Sequence, residues 1–196
     1  GKVEINTKYI PVDYLSITGH KFHAPKGIGA LFVRRKVPFS PLVCGGHQEH
    51  GKRGGTESVP LIAALGRAAE LARMSLPSYE KTVRPLRDQL EEGILSSTFK
   101  TDLNGNMTLR LANTSNITFP GVDAEALLIL LDQEGIFASS GSACLADTTT
   151  QSHVIEAMKP TSSRQMIRFS VDPTTTTEDI EKTVLVIRDA VTALIS

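Results

Sequence analysis

Residues 13–33 read Asp-Tyr-Leu-Ser-Ile-Thr-Gly-His-Lys-Phe-His-Ala-Pro-Lys-Gly-Ile-Gly-Ala-Leu-Phe-Val. An apolar run (Tyr14, Leu15, Ile17) ends at Thr18-Gly19-His20-Lys21, a Pro25-Lys26-Gly27 turn follows, and a second β-type run extends from Ile28 to Arg34. The pattern predicts two strands joined by a connection that carries a lysine. At the mouth of a buried strand such a lysine loses hydration, its charged form is disfavoured, and the free amine can add to a carbonyl. Taken alone, a His-Lys pair also suits a surface loop between two strands. The rest of the chain decides between these readings.

The 196 residues suffice for one large domain or for parts of two. Basic and acidic residues balance at 21 each, so no charge field draws the chain to nucleic acid or to an anionic membrane. No apolar run approaches the roughly 18 residues of a membrane helix, and none of the first residues opens a signal peptide. Cys44 and Cys144 are the two cysteines. That scarcity argues against a disulfide framework and for a reducing, cytoplasmic setting. The five histidines are scattered without metal-site spacing, so no metal is expected. The sequence opens at Gly1-Lys2-Val3-Glu4-Ile5, without methionine and close to its first chemistry-bearing motif. The expectation is a chain entered midway, that is, a fragment.

Cys44 to Thr56 holds five glycines and few apolar residues, so it cannot build a core and reads as a loop. It serves either as a flexible linker or as a backbone-donor loop for an anion, with Arg53 and Thr56 as polar arms. A helix is predicted from Ser58 as N-cap, with Pro60 in its first turn and Pro77 as its end. A second helix is predicted from about Tyr79 to Leu95, with Val83, Leu86, Leu90 and Ile94 on one face and a kink or restart at Pro85. The break near residue 77 is the predicted domain boundary. Beyond it, strands are predicted at 98–102, 107–112, 115–119, 136–139 and 166–171. Helices are predicted from the Asp123 cap to Gly135, over 152–158, and after a capping box at Thr175–Glu178. Strands and segregated helices make residues 78–196 an α+β unit.

Two further residues stand out. Cys144 follows small residues (Ser139-Ser-Gly-Ser-Ala) and precedes a polar stretch rich in threonine, a setting for an exposed thiol rather than a buried one. Arg168 alternates with Ile167 and Phe169 in a strand, so it projects from the face opposite the core. Its planar fork suits two-point contact with a carboxylate. Each of these also has an ordinary reading, as an incidental surface thiol and a solvated strand arginine.

In combination and in this order, the motifs resemble those of the cysteine desulfurase family, pyridoxal-phosphate enzymes of the aminotransferase class V group. Thr18-Gly-His-Lys21 with Pro25-Lys-Gly27 matches the cofactor-lysine segment, and Gly45-Gly-His-Gln-Glu49 with Arg53-Gly-Gly-Thr56 matches the glycine-rich loop. Asn116-Ile-Thr-Phe119, Asp123-Ala-Glu125, Ser139-Ser-Gly-Ser-Ala-Cys144, Ser152-His-Val154 and Ile167-Arg-Phe-Ser170 complete the pattern over nearly the whole chain. The cysteine context is similar to that of the subgroup resembling NifS and IscS proteins.

The resemblance implies an α/β fold: the end of the large cofactor-binding α/β domain over 1–77 and a complete small α+β domain over 78–196. It implies that Lys21 holds pyridoxal 5'-phosphate and moves the substrate's Cα proton. Thr18 and His20 would bind the phosphate, and Thr56 would reach the phosphate of the neighbouring subunit in a homodimer. Arg168 would clamp the carboxylate of L-cysteine, and Cys144 would take its sulfur as a persulfide, leave L-alanine, and pass the sulfur to an acceptor or scaffold protein for iron–sulfur clusters and thio-cofactors. Thr18 stands where the family often has serine, a change that keeps the hydroxyl. The family pattern needs about as much chain again before residue 1, which would supply further cofactor contacts. The chain alone is therefore expected to bind cofactor poorly and to be inactive. The alternatives are another class V enzyme, an aminotransferase or lyase, and a non-catalytic dimerisation or docking fragment.

Overall fold

The structure, a computed structural model, describes residues 1–140, 154, 157 and 165–195. Cys144, and almost all of the helix predicted over 152–158, lie outside these residues. The chain divides into two units, Gly1–Pro77 and Ser78–Ser196.

In the first unit, β1 (Tyr14–Thr18) and β2 (Gly29–Val33) pair antiparallel, in register from Tyr14↔Val33 to Thr18↔Gly29. A 3₁₀ turn over Gly19–Phe22 follows β1 directly. Tyr14 and Ile17 are 47% and 39% exposed, so the sequence expectation of a lysine at the mouth of a buried strand is not met. The reason is the size of the sheet: two strands cannot bury both faces. Arg34 anchors the leading segment, its guanidinium donating to the carbonyls of Val12, Thr7 and Ile10 at 2.9, 3.0 and 3.0 Å. A single turn, α1 (Gln48–Gly51), interrupts the glycine-rich loop, with Glu49 and His50 in the left-handed region at φ 48 and 56.

Helix α2 runs unbroken from Val59 to Leu95, through both Pro77 and Pro85. The predicted stop at Pro77 is thus wrong. A proline inside a helix withholds one N–H and crowds the carbonyl four residues back, at a cost of about 3 kcal/mol. Tyr79, Val83, Leu90 and Ile94 are all buried on one stripe of this helix. Burial at roughly 1.5–3 kcal/mol per large apolar side chain outweighs the prolines.

The second unit is an antiparallel sheet ordered β3-β4-β5 (Asp102–Leu103, Thr114–Thr118, Met166–Ser170) packed with helices α3 (Ala124–Gln133) and α4 (Thr177–Ile195). Its core joins Ile117, Phe119, Ile167 and Phe169 of the sheet region to Leu127 and Leu131 of α3 and to Ile180, Val184, Ile187 and Val191 of α4. The Asp123 carboxylate caps α3, accepting from the Ala126 amide at 2.9 Å. At α4 the capping box sits one residue later than predicted: the Asp179 amide donates to Thr176 Oγ1 at 3.1 Å and the Thr176 amide to Asp179 Oδ2 at 2.9 Å. Thr175 is engaged elsewhere, its hydroxyl accepting from the Asp172 amide at 3.0 Å.

No strand forms over 107–112. Asn106 Oδ1 accepts from the amides of Thr108 and Leu109 at 2.8 and 2.7 Å, a local turn that competes with ladder pairing. The strand predicted at 98–102 shrinks to Asp102–Leu103, and that at 136–139 to a single bridge, Ser139↔Arg168. Two contacts tie the 107–112 segment to α2. Arg110 donates both Nη groups to the buried Glu91 carboxylate, at 2.6 and 2.8 Å, which raises the pKa of its guanidinium. Arg87, also buried, donates to the Leu111 carbonyl at 3.2 Å and lies 3.9 Å from Glu91.

Candidate active site

Thr18, His20 and Lys21 fall within four residues at the end of β1, and the turn that holds them has no slack. The Gly19 amide donates to the Ile28 carbonyl at 3.0 Å, and the Gly19 carbonyl accepts from the Ala24 amide at 3.1 Å. A Cβ at Gly19 would lie 2.9 Å from the Ile28 oxygen and 3.0 Å from both Ala24 Cβ and Leu65 Cδ1, so only glycine fits. His23 closes the turn in the left-handed region at φ 70. The Thr18 hydroxyl makes no capping bond, which leaves it available, and the His20 and Lys21 side chains are exposed. A hydroxyl at the end of β1 is therefore followed, within one tightly packed turn, by an exposed imidazole and an exposed primary amine.

Thr56 lies at the end of a loop that closes on itself rather than trailing as a linker. The Gly54 amide donates to the Val43 carbonyl at 2.8 Å, and a Cβ on Gly54 would lie 2.8 Å from Cys44 C and O and from Gly45 Cα. The backbone-to-backbone closure explains why this stretch is so rich in glycine. Arg53, the other expected polar arm, bends back onto its own neighbour, donating to the Gly54 carbonyl at 2.7 Å. Thr56 itself is exposed.

Arg168 sits in the second unit at the middle of β5, half-buried. Ile167 and Phe169 are buried in the core, so Arg168 faces the other way, as the alternation predicts. Among the described residues its guanidinium has no acidic partner. The same face carries Asn116, its register partner on β4, and Ser139, its partner across the single bridge. Asn104 supports this face from the β3 side. It is buried at 6% exposure, and its Nδ2 donates to Asn116 Oδ1 at 2.7 Å and to Thr118 Oγ1 at 2.8 Å. Sequence reading passed over Asn104. The one available signal was the pair Asn104-Gly105, which resembles any turn asparagine.

Among the described residues no cluster of three or more His, Cys, Asp and Glu could hold a metal ion. Nor is any helix long and apolar enough to cross a membrane among those residues.

The family model for aminotransferase class-V matches residues 1–183. A protein named cysteine desulfurase 2 from Trichormus variabilis is 50% identical over 184 residues, covering 93% of this chain and 46% of the relative. A cysteine desulfurase from a Nostoc species is 46% identical over 196 residues, covering 99% of this chain and 49% of the relative. Among solved structures, a NifS-like protein superposes with a TM-score of 0.87 at 31% identity, covering 98% of this chain and 50% of the other. A NifS-like protein from Rickettsia africae gives 0.82 at 30% identity, covering 96% and 50%. The chain thus spans about half the length of the relatives it matches.

Proposed function

Because the chain belongs to the aminotransferase class-V family, we propose that it forms part of a cysteine desulfurase that uses pyridoxal 5'-phosphate. The observation that carries this reading is the turn at Gly19–Phe22, whose backbone is held by the packing around Gly19 and which carries His20 and Lys21 directly after Thr18. These groups fit the cofactor's chemistry: Lys21 Nζ for its aldehyde, and the Thr18 hydroxyl and His20 imidazole as donors to its phosphate. When bound, the cofactor supplies an electron sink for bonds at the substrate's Cα. The chain's own residues do the rest. Lys21 removes and returns the Cα proton. Arg168 holds the carboxylate of L-cysteine through two parallel N–H bonds. The Cys144 thiolate attacks the substrate sulfur; an S–S bond forms as the substrate's Cβ–S bond breaks, and protonation leaves L-alanine and a persulfide for an acceptor protein. Thr56 serves the phosphate of a second subunit in a homodimer.

Residues 1–77 then belong to the cofactor-binding domain and 78–196 to the smaller domain with the cysteine loop. A cytoplasmic setting agrees with the need to keep Cys144 reduced. The 196-residue chain alone binds the cofactor poorly and is inactive; measurable alanine release from L-cysteine by the purified chain would refute this. The first test is the visible absorbance of the chain mixed with pyridoxal phosphate. A lysine-bound cofactor band that disappears in Lys21→Ala supports the role of Lys21, and a band that persists removes it. In a protein supplied with the remaining half, Cys144→Ser abolishes persulfide formation. Undiminished turnover of that variant would point instead to an aminotransferase or lyase.

A further inference from the structure

The register of the second sheet brings one more residue to Arg168. Arg168 and Ser139 exchange both backbone bonds, at 3.2 and 2.6 Å, so the N–H and C=O of Arg168 point away from β4. Along β4 and β5 the flanking bonds, Phe119 amide to Gln165 carbonyl at 2.7 Å and Val171 amide to Asn113 carbonyl at 2.9 Å, fall on odd-numbered residues. Asn116 and Arg168 are therefore a non-hydrogen-bonded pair. In such pairs the Cα atoms lie about 4.5 Å apart and the side chains come closest, on one face.

The amide of Asn116 is also oriented. Its Oδ1 accepts from the buried Asn104, which turns its Nδ2 away from that neighbour. The contact made by Nδ2 is to Met166 Sδ at 3.4 Å, a weak acceptor. A donor with a poor partner thus belongs to the β4 residue paired with Arg168, whose guanidinium has no acidic partner among the described residues.

We propose that Asn116 is a second carboxylate-binding residue beside Arg168, with Asn104 as the positioning residue that aims its N–H. The proposal rests on the reading of Arg168 as the clamp for the substrate carboxylate. Arg168 supplies charge and a two-pronged grip. Asn116 adds a neutral donor at the side of the carboxylate and favours amino acids with a free α-carboxylate over their amides and esters.

The test is an NMR titration of the ¹⁵N-labelled 196-residue chain with L-alanine and, separately, with L-alaninamide. L-Alanine shifts the Arg168 Nε–H and the Asn116 side-chain NH₂ signals with one apparent Kd, and L-alaninamide moves neither. Loss of one donor to a carboxylate weakens binding by about tenfold or more. Asn116→Ala therefore weakens the Arg168 response by about that factor, and Asn116→Asp abolishes it. The β4 and β5 backbone amides confirm that each variant is folded, and Asn116→Ser, which keeps a donor, restores part of the affinity. Asn104→Ala weakens L-alanine binding while the Arg168 backbone signals stay in place. If Arg168 responds and Asn116 does not, this proposal fails and the Arg168 clamp survives. If neither responds to L-alanine, both fail.

Discussion

Replacing Gly93 by alanine sets two effects of opposite sign against each other. Gly93 lies inside α2, where alanine is favoured over glycine by about 1 kcal/mol. Against this, a Cβ at Gly93 would lie 2.6 Å from Val184 Cγ2 and 3.0 Å from Cγ1, both on α4. Carbon atoms in good contact sit near 3.5–4.0 Å, so the overlap approaches about 1 Å. Both γ-carbons of Val184 face the new methyl, and a β-branched residue in a helix has little rotamer freedom with which to withdraw. Overpacking of this kind costs typically about 1–3 kcal/mol. The clash outweighs the propensity gain over most of this range, and Gly93→Ala destabilises the second unit by up to about 2 kcal/mol. Hydrogen exchange at the Ile117, Ile167 and Ile187 amides, all in its core, measures the change. In the Val184→Ala background the same substitution becomes neutral or stabilising, a coupling of about 1 kcal/mol or more between the two sites. A stabilised Gly93→Ala single variant, or additive effects in the double variant, would refute the packing argument.

Two other outcomes are expected. The Asp179 carboxyl is held below its ordinary value of 3.8, first by the Thr176 amide and then by the Thr176 hydroxyl. Its stabilising effect is thus complete above the unfolded-state pKa and disappears as pH falls through the lower folded-state value. The stability gap between the wild type and Asp179→Asn should therefore close on acidification below about pH 4, while Thr176→Ala should move the Asp179 midpoint, read by NMR, back up. Gly19→Ala should destabilise the first unit by about 2 kcal/mol, because the nearest obstacle to its Cβ is the Ile28 carbonyl, which is backbone and cannot rotate aside. Unchanged exchange of the β1 and β2 amides in that variant would show the turn to be looser than its packing implies.

The residues legible in the sequence were those whose partners are local. Thr18, His20 and Lys21 sit within one turn, so a short motif was enough to group them. Arg168 could be placed on its face because strand alternation depends on immediate neighbours. What escaped depended on the fold. Pro77 looked like a helix end because the stripe from Tyr79 to Ile94 offsets its cost only when a core exists to receive it. Met107, Leu109 and Leu111 alternate like a strand, but Asn106 captures the amides of Thr108 and Leu109 first. The pairing of Asn116 with Arg168 spans 52 positions and is fixed by the register of two strands, which neither strand shows alone. The expected burial around Lys21 failed for the same reason, since it depended on how many strands share its sheet.

The Glu91 cluster places unequal constraints on mutational drift. One carboxylate serves two arginines, so the three positions are not equivalent in what they tolerate. Loss of Arg110 still leaves Glu91 a cation 3.9 Å away in Arg87. Loss of Glu91 leaves the Arg110 guanidinium without the carboxylate that grips it, whereas Arg87 keeps Asp88, whose Oδ1 accepts from its Nε at 2.9 Å; leaving a buried charge unpaired costs up to about 3–5 kcal/mol. An evolutionary path that dismantles this cluster therefore removes Arg110 before Glu91. Among variants of this chain, arginine-loss at 110 should be found with Glu91 intact, and the reverse combination should be rare.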